Sequence, residues 1–153
     1  MEKYMKVIIA TDGSDFSKVA VEKFCKIAGN PENWEIKIIS VYERLPPVFA
    51  GPYAFLSDFN DQYEDMGKEA AKKYTSDTEA QIRQHFPNKQ VNITMESLLG
   101  MPGPMIVEIA KGWDADLIVV GSHGYGLWDR LLLGSASNTI VHHAPCSVLV
   151  VRM

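Results

Sequence analysis

The chain has only two cysteines, Cys25 and Cys146, which lie far apart and outside any CxxC or Cys/His spacing. Neither a disulfide framework nor a structural zinc is expected, and both read as buried free thiols. Positive charge is also in short supply. Fifteen Lys+Arg against nineteen Asp+Glu leave a net charge of -4, which argues against a protein that coats duplex nucleic acid, because phosphate neutralisation supplies most non-specific affinity. Only a local basic patch stays open. No apolar run approaches the roughly 18 residues of a membrane span. Met1 to Asp15 turns polar straight after Val7 to Ala10, without the apolar stretch of a signal peptide, so a cytoplasmic protein is expected. The P-loop pattern GxxxxGK[ST] and the nucleophile elbow GxSxG are both missing, which excludes those two routes to phosphate and acyl chemistry. What remains is an ordinary globular composition, 46% hydrophobic and 22% charged, in 153 residues. That length suits one domain, 1–153, with a core of its own.

Five short apolar runs alternate with helix-like segments. Met5 to Ala10, Leu117 to Val120 and Ser147 to Val151 are continuous β-branched or leucine runs, as in parallel strands covered on both faces. Trp34 to Val41 and Val91 to Met95 alternate instead, which suits strands nearer an edge. Phe16, Val19, Ala20, Phe24, Ile27 and Ala28 recur at helical spacing, and Gly29-Asn30-Pro31 stops that helix. Arg44 to Ser57 reads as a loop with three prolines, and Asp58 is placed to cap a long second helix. The stripe of that helix is Phe59, Tyr63, Met66, Ala70, Tyr74, Thr78 and Ile82, and its aromatics are expected in the core. A third helix runs from Gly100-Met101-Pro102 to Lys111-Gly112, and a fourth from Gly134-Ser135 to Pro145. The alternation implies a parallel sheet with right-handed crossovers and helices on both faces. Ligands of such sheets bind beyond the carboxyl ends of the strands, which singles out Thr11 to Asp15 and Gly121 to Ser135.

The second of these loops reads Gly121-Ser122-His123-Gly124, then nine residues, then Gly134-Ser135 at a helix start. Glycines admit main-chain N–H groups to a phosphate, and a helix amino terminus adds unpaired donors and partial positive charge. Ser135 can cap that helix and offer its hydroxyl, with Ser122 and His123 as further donors. The plainer alternative is a glycine-rich turn followed by an ordinary serine cap. In the first loop, Asp12 and Asp15 have the chemistry to hold a ribose hydroxyl or nucleotide-bound magnesium. For Asp15, helix capping is the competing and preferred role.

Taken together, Gly121, Gly124, Gly134 and Ser135, the closing run from His143 to Val151, the opening run from Val7 to Ser14, and Gly100-Met101-Pro102 resemble the universal stress protein family, nucleotide-binding subgroup, over nearly the whole chain. The resemblance implies a doubly wound five-stranded parallel sheet of order 3-2-1-4-5, Rossmann-like and of the flavodoxin-like or adenine-nucleotide α-hydrolase-like type. It also implies an ATP site. Asp12 with Ala10 and Thr11 would lie beside ribose and adenine, and Val41 would present its backbone to the adenine edge. Val120, Gly121, His123, Gly124, Gly134, Ser135 and Ala136 would surround ribose and phosphates. Magnesium would arrive with the nucleotide, near Asp12. The family often has a basic and a small residue where this chain has Tyr125-Gly126; Arg130 offers a compensating charge.

In that strand order the last strand is an edge, and Val148, Leu149, Val150 and Val151 make it apolar on both faces, so a homodimer joined through it is expected, as the resemblance also implies. An unidentified protein partner is expected too. Phe49, Tyr53 and Phe55 give the proline-rich loop enough apolar area to fold over a nucleotide, meet a partner or cover the core. His142 and His143 are adjacent on one helix, so their side chains diverge and read as a helix-end pair. A nucleotide-responsive stress protein with at most slow ATP hydrolysis is the leading expectation. The rivals are an interaction module that has lost nucleotide affinity and an adenylate-transferring enzyme. Against the latter, Asp12 and Phe16 break the Ser-Gly-Gly-x-Asp-Ser loop of ATP pyrophosphatases.

Overall fold

A computed structural model describes residues 3–44, 57–124 and 132–153 of the chain. Its elements run β1 (Met5–Ala10), α1 (Asp15–Ile27), β2 (Trp34–Tyr42), α2 (Ser57–His85), β3 (Asn92–Leu99), α3 (Pro102–Trp113), β4 (Leu117–Gly121), α4 (Ser135–His143) and β5 (Ser147–Val151). A turn of 3₁₀ helix at Pro31–Asn33 leads into β2. The five strands form a parallel sheet of order β3-β2-β1-β4-β5, as the resemblance implied.

The pleat divides the core in two. Val7, Ile9, Ile36, Ile38 and Val119 point to the side covered by α1 and α2, where Val21, Phe24 and Ile82 complete one apolar cluster. Ile8, Ile39, Ile118 and Val120 point to the opposite side and meet Ile106, Val107 and Ala110 of α3 and Ile140 of α4. Burial of β1 on both faces explains why its sequence is an unbroken apolar run. Every chain reversal from strand to helix therefore lies at one end of the sheet.

The elements depart from the sequence expectations in four places. First, β3 extends to Leu99, well past Met95, because the long β2 offers it register partners from Glu35 to Tyr42. Second, α2 begins at Ser57, so Asp58 lies inside its first turn instead of preceding it. Third, α3 continues through Gly112 to Trp113 and is closed by Asp114 in the left-handed conformation at φ 56. Fourth, the stripe on α2 is core only in part. Of its members Thr78 and Ile82 are buried and Ala70 and Tyr74 half-buried, whereas Tyr63 and Met66 are exposed; the neighbouring Ala71 and Thr75 are buried in addition. The loop bearing Phe49, Tyr53 and Phe55 lies outside the described residues.

Cys25 is buried on the inner face of α1, as expected, whereas Cys146, also expected to be buried, is only half-buried. Burial pushes the Cys25 thiol up to about 11, which leaves almost no thiolate at neutral pH. Cys25 is therefore expected to resist iodoacetamide at pH 8 in the native protein and to be alkylated quantitatively in denaturant, as read by peptide mass spectrometry. His142 and His143 occupy the last turn of α4, with ring centroids 6.5 Å apart.

Candidate functional site

The carboxyl ends of β1, β2 and β4 and the amino terminus of α4 enclose a cleft of about 560 Å³. Its first wall is the turn after β1. Ser14 caps α1 by accepting from the Ser17 N–H at 3.3 Å. Asp15 is thus the first residue of the helix, exposed and away from the cleft, and the capping role expected for it belongs to Ser14. Asp12 faces the cleft. Its Oδ1 accepts from Ser17 Oγ at 2.7 Å and from the Ser14 N–H at 3.0 Å, while its own N–H donates to Ser17 Oγ at 3.2 Å. The carboxylate is therefore oriented by the same residues that start the helix. Thr11 is buried, with its N–H on the Ile39 carbonyl at 3.0 Å and its Oγ1 accepting from the Gly13 N–H at 3.2 Å. Gly13 sits at φ +75, and Tyr74 of α2 packs directly against it where a side chain would stand.

β1 stops pairing with β2 at Ala10 and Ile39. The β1-facing edge of β2 then runs on into the cleft at Val41, the position expected to meet a base through its backbone.

The opposite wall is built from β4 and α4. Gly121 lets α1 approach so closely that a Cβ there would meet the Phe16 backbone at 2.8 Å. Ser122 is buried, not a donor to the cleft. Its N–H donates to Val151 O at 2.8 Å, its carbonyl accepts from the Gly134 N–H at 2.7 Å and from Ser137 Oγ at 2.8 Å, and its hydroxyl meets His123 Nδ1 at 3.0 Å. The His123 ring lies against Phe16, with centroids 5.2 Å apart. Gly124 reaches across the cleft to Asp12, whose Oδ2 stands where a Cβ of residue 124 would be.

Gly134, not Ser135, is the N-cap of α4, and it makes no side-chain cap bond. Its N–H is already spent on Ser122. The first backward bond inside the helix is Asn138 N–H to Gly134 O at 2.8 Å, so the N–H groups of Ser135, Ala136 and Ser137 are the ones the helix leaves without internal partners. These three residues line the cleft, where the helix dipole adds partial positive charge.

All eleven residues expected at the site therefore surround one cleft: Ala10, Thr11 and Asp12 from the first turn, Val41 from β2, Val120 to Gly121 and His123 to Gly124 from the fourth, and Gly134 to Ala136 at α4. Tyr125, Gly126 and Arg130 lie outside the described residues. Two groups escaped sequence reasoning. Ser17 braces the first wall through Asp12 and Ser14, Ser137 braces the opposite wall through the Ser122 and Gly134 carbonyls, and a serine three residues after each N-cap was the available signal. Tyr63, Met66 and Gly67 of α2 line the cleft as well, although helical spacing places Tyr63 and Met66 on the core stripe. No group of three or more His, Cys, Asp or Glu able to hold a metal by itself occurs among the described residues.

A sequence model of the universal stress protein family matches residues 3–152. The chain belongs to the universal stress protein family. Among relatives of this family, a universal stress protein of Methanocaldococcus jannaschii is 33% identical over 97% of this chain and 82% of its own. Universal stress protein A homolog 2 of Coxiella burnetii is 33% identical over 100% and 98%. Solved structures agree in fold. UspA from Lactobacillus plantarum superposes with a TM-score of 0.70 at 25% identity, covering 98% of this chain and 99% of that one. A universal stress protein crystallised in complex with cAMP superposes at 0.63 with 27% identity, covering 98% of both. In this universal stress protein the loops after β1 and β4 lie side by side, and no helix among the described residues is long and apolar enough to cross a membrane.

Proposed function

We propose that this universal stress protein binds ATP, with magnesium carried on the phosphates, in the cleft between the β1 and β4 loops, and acts as a nucleotide-responsive homodimer in the cytoplasm. The observation that carries the reading is the juxtaposition of Asp12, held by Ser17 and Ser14, with Gly124 and with the amino terminus of α4. An oriented carboxylate suits ribose hydroxyls, and the helix amides suit phosphate oxygens. A volume of about 560 Å³ lies within the range of small-molecule sites. The cAMP complex of a 27% identical relative lends support from the same chemistry, an adenine nucleotide. Magnesium fits this donor set, because it is ordinarily held by one or two carboxylates plus substrate phosphates and water. Asp12 would be its protein ligand.

A ligand shifts a conformational balance only through differential affinity. ATP spanning both walls would favour the arrangement in which they stand together, and a protein partner would read that surface. Hydrolysis is expected to be slow. Fast turnover by purified protein, lost in Asp12→Ala, would overturn this part of the reading. Calorimetric titration with ATP and magnesium, together with mass spectrometry of ligand retained through native purification, tests the assignment. Absence of both retained nucleotide and titratable binding would sink it.

The dimer is proposed to form through β5, whose Val148, Leu149 and Val150 remain half-exposed at the sheet edge. Sedimentation is expected to give a dimer at micromolar concentration, and a monomer there would contradict this interface.

A further inference from the structure

We propose that the first turns of α2 form the base-facing wall of the cleft, and that Tyr63 and Met66 are specificity-determining residues that select a purine. This rests on the nucleotide reading above and extends it to an element that reading does not use. The argument begins with lengths. α2 has 29 residues and β2 has nine, which at standard rises gives about 43 Å of helix beside about 30 Å of strand. The helix is anchored over the sheet through its carboxyl-terminal half, where Ala71, Thr75, Thr78 and Ile82 are buried. Its amino-terminal turns must therefore overhang the end of the sheet at which the cleft opens.

Two contacts fix that overhang. Gly67 lets the helix lie on Tyr42 at the end of β2, where an added Cβ would stand 3.2 Å from the Tyr42 ring. Glu64 pairs with Arg44 at 3.5 Å. A glycine inside a helix is unfavourable by about 1 kcal/mol relative to alanine, and here it admits the close approach that brings Tyr63 and Met66 to the cleft. Both line it, yet they stay 42% and 72% exposed. They are large apolar groups left within reach of solvent at the amino-terminal end of the helix's apolar stripe.

The strand order supplies the direction. The amides proposed to bind phosphate lie at β4 and α4, Asp12 follows β1, and Val41 is the last but one residue of β2. Successive strands are about 4.8 Å apart, so the cleft steps from phosphate to ribose to base over about 10 Å, and α2 stands beyond the base position. An aromatic ring and a polarisable thioether attract a flat π-surface without requiring a matched hydrogen bond. The larger face of a purine gains more from both than a pyrimidine does.

The test is calorimetric titration of the full chain with ATP, UTP and inorganic tripolyphosphate, each with magnesium, in the wild type and in Tyr63→Ala, Met66→Ala and Tyr63→Phe. The wild type is expected to prefer ATP over UTP by about tenfold or more, and Tyr63→Ala to weaken ATP about tenfold, UTP less, and tripolyphosphate not at all. Tyr63→Phe should keep the preference. If ATP binds and both alanine variants retain the wild-type ratio of ATP to UTP, the base-wall proposal fails while the nucleotide site stands. Equal losses for ATP and tripolyphosphate would also overturn it, since they would mark general damage. Failure of the wild type to bind ATP would remove the underlying reading itself.

Discussion

Gly124→Val is expected to abolish ATP binding, raising the dissociation constant about 100-fold or more, while circular dichroism and cooperative unfolding remain close to wild type. The cause is local. The Cβ of any larger residue at 124 falls on Asp12 Oδ2, and that carboxylate is not free to swing aside. Its other oxygen holds Ser17 Oγ and the Ser14 N–H, two of the contacts that start α1. Valine must therefore either push the β4 loop away from the cleft or drag Asp12 out of the network that orients it. Asp12→Ala should weaken ATP by about tenfold or more, the scale of a lost charged hydrogen bond. If Gly124 acts through Asp12, then Gly124→Val on an Asp12→Ala background should cost much less than on the wild type, because neighbouring effects do not add. Wild-type affinity in Gly124→Val would show that nucleotide, if bound, does not use this juxtaposition.

Part of this candidate site was legible in the sequence because it obeys local rules, while Val41, Val120 and Ala136 came only with the family resemblance. Glycines at 121, 124 and 134, an acid after a buried strand, and prolines or serines at helix starts each announce themselves within a few positions. Strand order was legible from the family resemblance, since periodicity alone does not say which strand neighbours which. Three features were not readable in this way. The N-cap of α1 is Ser14, not Asp15, a choice between adjacent capping residues that only the hydrogen bond to the Ser17 N–H decides. Ser122 turned inward because its carbonyl is needed by both Gly134 and Ser137, a bridge across twelve or more residues. Tyr63 and Met66 follow the helical stripe that buries Ile82, yet they lie beyond the end of the sheet, where nothing is left to bury them against. Helical spacing specifies a face but not how far along that face the partner extends.

For stability, the largest loss is expected in Gly121→Val, and it separates three glycines that look alike in sequence. At Gly121 a Cβ would meet the carbonyl carbon of Phe16 at 2.8 Å and its oxygen at 2.9 Å. These are main-chain atoms of a helix whose position is set by the Ser14 cap and by Val21 and Phe24 in the core, so no side-chain rotation relieves the overlap. Overpacking of this kind typically amounts to about 1–3 kcal/mol, and valine with its branched Cβ belongs at the upper end. For a chain of this size about 3 kcal/mol lowers Tm by roughly 6–12 °C. Gly29, at φ +72 with nothing within 4 Å, is limited by backbone conformation alone, and Gly29→Ala should lose about 1–2 kcal/mol. Gly112, inside α3 with open space around it, should gain about 0.5–1 kcal/mol as alanine. Thermal unfolding of the three variants should thus give a large fall, a small fall and a rise. Saturating ATP should widen the gap for Gly121→Val, because a displaced α1 carries Asp12 and Ser17 with it, and the wild type alone would gain the full stabilisation of a bound ligand. An unchanged gap would separate the close approach at Gly121 from the nucleotide site and reduce it to a packing contact.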